Sequence, residues 1–69
     1  MEYQERVKNI GEKIKAIRLE KGLTQIDLST LCSIEQTNIA RIEAGRTSPT
    51  IKTLYKISDA LNIDIKELF

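Results

Sequence analysis

Three neighbouring positions of the sequence carry side chains that can form hydrogen bonds with the edges of base pairs. A segment whose apolar residues have helical spacing carries Gln36, Thr37 and Arg41. Its outward stripe also includes Ala40 and Ala44. An amide can pair with adenine, a guanidinium can pair with guanine, and a small apolar group can contact the thymine methyl. A solvent-exposed helix face without a ligand would also carry such residues. The interpretation as a DNA-reading surface therefore depends on whether the fold exposes this stripe on a helix that can enter a groove of the duplex.

Little other chemistry is available to this sequence. It contains no histidine and one cysteine, Cys32. An internal disulfide, the usual Cys/His zinc sites and a Ser-His-Asp triad are therefore excluded. Because the sequence also shows no glycine-rich loop and no carboxylate pair placed for a cleft, we expect no cofactor, no metal and no enzymatic activity. Cys32 occupies an apolar position, which favours a small core side chain over a redox sensor.

Length and charge limit the class of protein. The 69 residues, with a net charge of +1, are expected to form one domain over 1–69, and the charge neither supports nor excludes nucleic-acid binding. No apolar run approaches the roughly 18 residues of a membrane span, and the N-terminus lacks a signal-peptide pattern, so we expect a cytoplasmic protein with no membrane partner. So small a core seldom contributes more than roughly 3–5 kcal/mol, which favours association of two copies.

Apolar residues at intervals of three and four predict helices along the whole sequence. The first helix covers about 4–21 and ends at Gly22. The second begins at Thr24, which has the spacing of a capping box with Asp27, and ends near Cys32. The residues of this second helix predicted to face the core are Leu28, Leu31 and Cys32.

The second half of the sequence continues the helical pattern. A third helix is predicted over about 35–44, before Gly45, and a fourth over about 51–61, with Thr50 as its cap.

A fifth helix over 65–69 completes the predicted fold. Asn62 can end the preceding helix in the left-handed conformation, and Asp64 and Glu67 have capping-box spacing. No alternating pattern typical of a strand is present. The sequence therefore predicts an all-α domain of five short helices.

The connection between the second and third helices determines how the polar stripe is presented. Only Cys32, Ser33 and Ile34 join the two helices, which forces the sharp crossing of a helix-turn-helix. Ile39 and Ile42 would face the core, and the stripe with Gln36, Thr37 and Arg41 would face outward. This arrangement favours base recognition over a merely solvated face.

The sequence resembles the phage-repressor family of helix-turn-helix domains, of the Cro, lambda-repressor and xenobiotic-response-element type. The residues that carry the resemblance are Gln25, the run ARIEAGR at 40–46, Pro49 and the fourth-helix pattern at 54–61. The upstream run KIKAIRLEKG matches the first helix of the family. The small chain is also similar to controller proteins of restriction–modification systems.

The resemblance implies a sequence-specific transcriptional regulator that binds double-stranded DNA, with the third helix in the major groove. The positions that match base-reading residues of the family are Gln36, Thr37 and Arg41. The positions that match or flank DNA-backbone contacts are Gln25, Glu35, Asn38, Arg46, Thr47 and Ser48. The resemblance also implies a buried ion pair between Arg18 and Glu43.

Three positions depart from the family pattern. Ser29 replaces the usual alanine, so its hydroxyl needs an acceptor such as a carbonyl one turn back. Ser33 replaces the usual glycine, and it would either adopt a positive φ or cap the third helix with Gln36 as partner. Glu35 replaces the usual serine or threonine cap and brings a carboxylate close to phosphates.

We expect a homodimer on a pseudo-palindromic operator, with half-sites about 34 Å apart. The predicted dimer contacts, which alternatively only close the core, are Ile63, Ile65, Leu68 and Phe69. One alternative function is an antitoxin that binds its own operator and also masks a toxin partner. Another is a protein-interaction module without DNA binding.

Overall fold

The protein, seen in a computed structural model, is all-helical over the described residues 2–69, and Met1 of the predicted domain lies outside them. The α-helices within that range are α1 (Tyr3–Glu20), α2 (Gln25–Cys32), α3 (Gln36–Glu43) and α4 (Ile51–Leu61), followed by a 3₁₀ turn (Ile65–Leu68). The predicted all-α class is confirmed, because no strand occurs among residues 2–69. The prediction of five helices is wrong, because residues 2–69 contain four α-helices.

The segment predicted as the fifth helix is a single 3₁₀ turn. Its backbone bonds join residues three apart, from Glu67 N to Asp64 O at 3.0 Å and from Phe69 N to Lys66 O at 3.2 Å. The predicted capping box of Asp64 and Glu67 is present. Four residues are too few to propagate α-helical bonds after nucleation, so the cap is followed by the tighter turn.

Side-chain caps set the starts of two α-helices at the predicted residues. Thr24 Oγ1 accepts a hydrogen bond from Asp27 N at 3.0 Å, and Thr24 N donates to Asp27 Oδ2 at 2.8 Å. Thr50 Oγ1 accepts from Thr53 N at 3.1 Å. At the end of α4, Asn62 adopts the left-handed conformation with φ 58°. These contacts are local, which explains why the sequence predicts the helix ends within a residue or two.

Every helical element contributes a fully buried aliphatic side chain to one core. Those side chains, each with 0% exposure, are Ile14, Leu28, Ile39, Ile57 and Leu68. Burial of each side chain contributes about 1.5–3 kcal/mol to the free energy of unfolding. Ile39, on the inner face of α3, therefore anchors that helix to the core. Cys32 joins this core, and burial raises the pKa of its thiol.

Leu31 does not face the core, contrary to the prediction. It is 58% exposed, whereas Leu28 and Cys32 on the same helix are buried. The two buried residues define the inner stripe of α2, and Leu31 lies about 100° around the helix from Cys32. An eight-residue helix packed on one side leaves that position in solvent.

Backbone contact between α1 and the end of α3 depends on Gly11. A Cβ atom at this position would overlap the carbonyl oxygen of Ile42 and would lie 2.9 Å from that of Glu43. Only glycine allows so close an approach. The approach places the end of α3 beside α1 and brings Glu43 within reach of Arg18. Within residues 2–69 no helix is long and apolar enough to cross a bilayer.

Candidate nucleic-acid interface

The turn between α2 and α3 has the left-handed conformation at Ser33. Its φ is 56° and its ψ is 41°, and Ile34 N donates to Ser29 O at 3.2 Å to close the turn. Of the two alternatives for Ser33, the structure therefore has the positive φ, which costs a residue with a side chain roughly 1–2 kcal/mol. Ser29 Oγ donates to Ile26 O at 2.8 Å, so the hydroxyl at the helix crossing has its acceptor.

The outward face of α3 carries the three predicted base-reading side chains. Gln36, Thr37 and Arg41 are exposed, while Ile39 and Ile42 on the opposite face are buried. None of the three exposed side chains forms a hydrogen bond to another residue in the described part of the chain. They are therefore available to a ligand.

A shallow depression lies where the turn meets the first two turns of α3. Its volume is about 380 Å³, and its lining residues are Ser33, Ile34, Glu35, Thr37, Asn38 and Arg41. Glu35 is the N-cap residue of α3 but makes no side-chain capping bond. Its exposed carboxylate therefore stands free beside the guanidinium and amide groups of this surface.

The other predicted backbone contacts lie on either side of α3. Gln25 is half-buried at the start of α2, and Arg46 is exposed in the loop that follows α3, beside the half-buried Thr47. Ser48 lies elsewhere, in the lining of a groove of about 710 Å³ along α1 that also includes Tyr3 and Phe69. The structure thus does not bring Ser48 to the depression at α3.

Arg18 and Glu43 form an ion pair in the interior. Arg18 Nε donates to Glu43 Oε2 at 2.7 Å, and Nη2 donates to Oε1 at 3.0 Å. The hydrogen bond to Glu43 raises the pKa of Arg18 above its ordinary value. Arg18 Nη1 also donates to the carbonyl of Leu23 at 2.7 Å. Because the two charged residues are only 5% and 6% exposed, the pair joins α1, the loop before α2 and α3 with little competition from water.

Gln25 forms a side-chain hydrogen bond that was not predicted from the sequence. Its Nε2 donates to Glu43 Oε1 at 3.1 Å, so the amide at the start of α2 is joined to the buried ion pair. The two residues are 18 positions apart, and no local spacing rule reaches that far. Only the packing of α2 against α3 brings them together.

The predicted dimer contacts differ in exposure. Phe69 is 57% exposed, and Ile63 and Ile65 are half-buried against the core. The prediction for Leu68 is wrong, because its side chain is fully buried within the protomer and cannot contact a second copy.

Helix α4 carries an exposed apolar pair outside the four predicted dimer contacts. Ile51 is 59% exposed and Tyr55 is 52% exposed, four residues apart on one face. Their positions outside the buried stripe of α4 were the available signal in the sequence.

Comparisons with known proteins agree with this geometry. Residues 14–68 match the family model described as Helix-turn-helix. The immunity repressor protein of Bacillus phage phi105 is 36% identical over 59 residues, covering 86% of this chain and 41% of the repressor. The control protein C.BamHI of Bacillus amyloliquefaciens is 36% identical over 59 residues, covering 84% of this chain and 73% of that protein.

A crystal structure of similar fold comes from the restriction–modification controller protein C.AhdI of Aeromonas hydrophila. It superposes with a TM-score of 0.90 at 30% identity, covering 97% of this chain and 100% of that chain. The resemblance to phage repressors and to controller proteins is thereby confirmed. The chain belongs to the helix-turn-helix family.

Proposed function

We propose that this DNA-binding transcriptional regulator acts as a homodimer that places α3 of each protomer in the major groove of a pseudo-palindromic operator. The observation that carries the proposal is the division of α3 into two faces. Ile39 and Ile42 anchor the helix in the core, and the exposed Gln36, Thr37 and Arg41 have no role in holding the fold. These side chains are not needed by the fold, and their hydrogen-bonding groups match those of base edges. Both features support a role in recognising base pairs.

The reading residues have distinct proposed partners. The Arg41 guanidinium suits the O6 and N7 atoms of guanine, and the Gln36 amide suits N6 and N7 of adenine. Thr37 can donate or accept a hydrogen bond at a neighbouring base. Each good bidentate contact discriminates against a wrong base by about 1–3 kcal/mol.

The residues around α3 would set the register of the protein on the duplex. The proposed backbone contacts are Gln25, Asn38, Arg46, Thr47 and Ser48, of which Ser48 lines the groove along α1 rather than the depression at α3, and Glu35 would lie close to the DNA backbone. Arg46 is the cation of this set, so its contact contributes to the salt dependence of binding, whereas the neutral members do not. The carboxylate of Glu35 would repel DNA phosphates and would disfavour orientations of the protein that bring it close to the DNA backbone.

In the proposed homodimer, the two copies of α3 must lie about 34 Å apart, which is one turn of duplex. The apolar side chains that we propose for the contact between copies are at least partly exposed; they are Ile51, Tyr55, Ile63, Ile65 and Phe69. The cytoplasm, where the operator would be found, remains the proposed location.

Two substitutions test the assignment on an operator obtained by site selection. We expect Arg41→Ala to relax the preference at one base pair per half-site, with a discrimination loss of about 1–3 kcal/mol. We expect Arg46→Ala to weaken binding to all duplexes and to reduce the salt slope by about one per protomer. Fluorescence anisotropy with labelled operator and random duplexes, at several salt concentrations, measures both effects. Equal effects of the two substitutions on specific and random DNA would refute the assignment.

The alternative antitoxin function has no observation in its favour, because none of the relatives described above is named as an antitoxin.

A further inference from the structure

The buried ion pair has a link to the protein surface that its stabilising role does not require. Gln25 Nε2 donates to Glu43 Oε1 at 3.1 Å, and the same oxygen accepts from Arg18 Nη2 at 3.0 Å. We propose that Glu43, held in place by Arg18, is a positioning residue that fixes the Gln25 carboxamide for contact with the DNA backbone. This inference rests on the proposed function, which places Gln25 among the backbone contacts.

The geometry makes Glu43 a rigid acceptor. Arg18 engages both of its carboxylate oxygens, at 2.7 Å from Nε and at 3.0 Å from Nη2. Arg18 is itself tied by Nη1 to the carbonyl of Leu23 at 2.7 Å. With both charged side chains almost fully buried, the plane of the Glu43 carboxylate is fixed by a planar two-point contact. Because this acceptor is fixed, the hydrogen bond from Gln25 Nε2 gives the Gln25 carboxamide a defined orientation.

The Gln25 carboxamide keeps unused hydrogen-bonding capacity after this contact. One of its two N–H groups is directed to Glu43, and the other N–H and the carbonyl oxygen remain. The residue is only half-buried, so these groups can meet a ligand. A phosphate oxygen accepts hydrogen bonds, so the remaining N–H is the one suited to it. The contact with Glu43 thus selects which part of the amide faces the duplex.

Fixing Gln25 before binding raises affinity by reducing the loss of side-chain freedom on binding. A free glutamine side chain has several rotamers, and ordering one on binding weakens affinity by roughly tenfold. The exposed Gln4 and Gln36 have no such partner within the described residues, so they serve as internal comparisons. A network that merely joins α1, α2 and α3 would change stability when removed and would leave the affinity of the folded protein unchanged.

A double substitution separates positioning from stability. Arg18→Met together with Glu43→Leu removes both charges at once, so no unpaired charge remains in the core, and it leaves Gln25 without its acceptor. We expect the folded double variant to bind its operator roughly tenfold more weakly per protomer with an unchanged salt slope, because Gln25 is neutral. We also expect Gln25→Ala to weaken binding less in the double variant than in the unsubstituted protein, and Gln4→Ala to leave affinity unchanged.

The same titrations contain the results that would overturn the inference. An affinity of the double variant equal to that of the unsubstituted protein would do so. So would an equal effect of Gln25→Ala in both backgrounds, because Gln25 would then act independently of Glu43.

A second measurement does not depend on the stability of any variant. Side-chain amide ¹⁵N relaxation of the unsubstituted, DNA-free protein reports the mobility of its three glutamines, Gln4, Gln25 and Gln36. We expect the Gln25 amide to be clearly more ordered than the other two. Equal mobility of the three amides would overturn the inference even if the double variant failed to fold.

Failure of this inference is distinguishable from failure of the proposed function. If Arg41→Ala relaxes base preference while the Gln25 and Glu43 tests fail, only the positioning role is refuted. If Arg41→Ala changes no base preference, the assignment of α3 as the reading helix is refuted, whatever the mobility of Gln25.

Discussion

Removal of the Arg18 guanidinium should strongly destabilise this fold. Arg18→Met keeps an unbranched stem but removes all three hydrogen bonds that the guanidinium makes, two to Glu43 and one to the carbonyl of Leu23. The Glu43 carboxylate, 6% exposed, would retain only the bond from Gln25. An unpaired buried charge of this kind lowers the free energy of unfolding by about 3–5 kcal/mol.

This loss is large relative to the whole domain. At about 0.05–0.15 kcal/mol per residue, a chain of this length has a free energy of unfolding of about 3–10 kcal/mol. Arg18→Met should therefore remove about a third of this stability at the upper end of the range and all of it at the lower end. Arg18→Met combined with Glu43→Leu should remain within about 1 kcal/mol of the unsubstituted protein, because neither charge is left without a partner and buried ion pairs are often replaceable by apolar residues.

Urea denaturation followed by far-ultraviolet circular dichroism at neutral pH measures these differences. The exposed Lys15→Met, on the same helix, is the matched control and should change stability by no more than about 0.5 kcal/mol. We expect the double variant to be at least about 2 kcal/mol more stable than Arg18→Met alone. If the losses of the two single variants instead add in the double variant within about 0.5 kcal/mol, the buried pair is not coupled and the reasoning is refuted.

Three further changes test other parts of the account. Gly11→Ala should lower the free energy of unfolding by about 1–3 kcal/mol in urea denaturation, because the new methyl group would overlap the backbone at Ile42; an unchanged or increased stability would contradict that contact. Ser33→Gly should raise stability by up to about 1 kcal/mol, because glycine adopts φ near 56° without strain, and a clear loss would contradict the strain assigned to the turn. Asp27→Asn should lower the melting temperature at neutral pH and should have little effect at the acid end of the profile. Hydrogen bonds from the backbone and side chain of Thr24 lower the pKa of Asp27, so its contribution is fully present above the unfolded pKa of about 3.9 and is lost as the pH falls through the lower native pKa. A destabilisation that did not depend on pH would exclude this ionisation as its cause.

The sequence predicted those features of the fold that depend on neighbours along the chain. The capping boxes at Thr24 and Asp64 and the left-handed ending at Asn62 involve residues within one turn, and all three are present. The type of the last helical segment was predicted wrongly, because four residues lie at the limit where an α-helical turn and a 3₁₀ turn compete. Leu31 was misplaced because hydrophobicity does not tell which of two adjacent apolar positions a short helix buries.

The candidate site shows the same division between local and long-range information. The spacing of Gln36, Thr37 and Arg41 was sufficient to place them on one exposed face of α3. The bond from Gln25 to Glu43 could not be predicted, because it joins two helices through their packing.

Recognition of an operator by two copies of α3 can be tested by selection of bound sites from a random oligonucleotide pool, with the unsubstituted protein and with Arg41→Ala in parallel. We expect an enriched pair of inverted half-sites with centres about 10 base pairs apart, and a loss of preference at one base pair of each half-site in the variant. Enrichment of no inverted repeat, or of a repeat that Arg41→Ala leaves unchanged, would contradict the claim that paired copies of α3 read the operator.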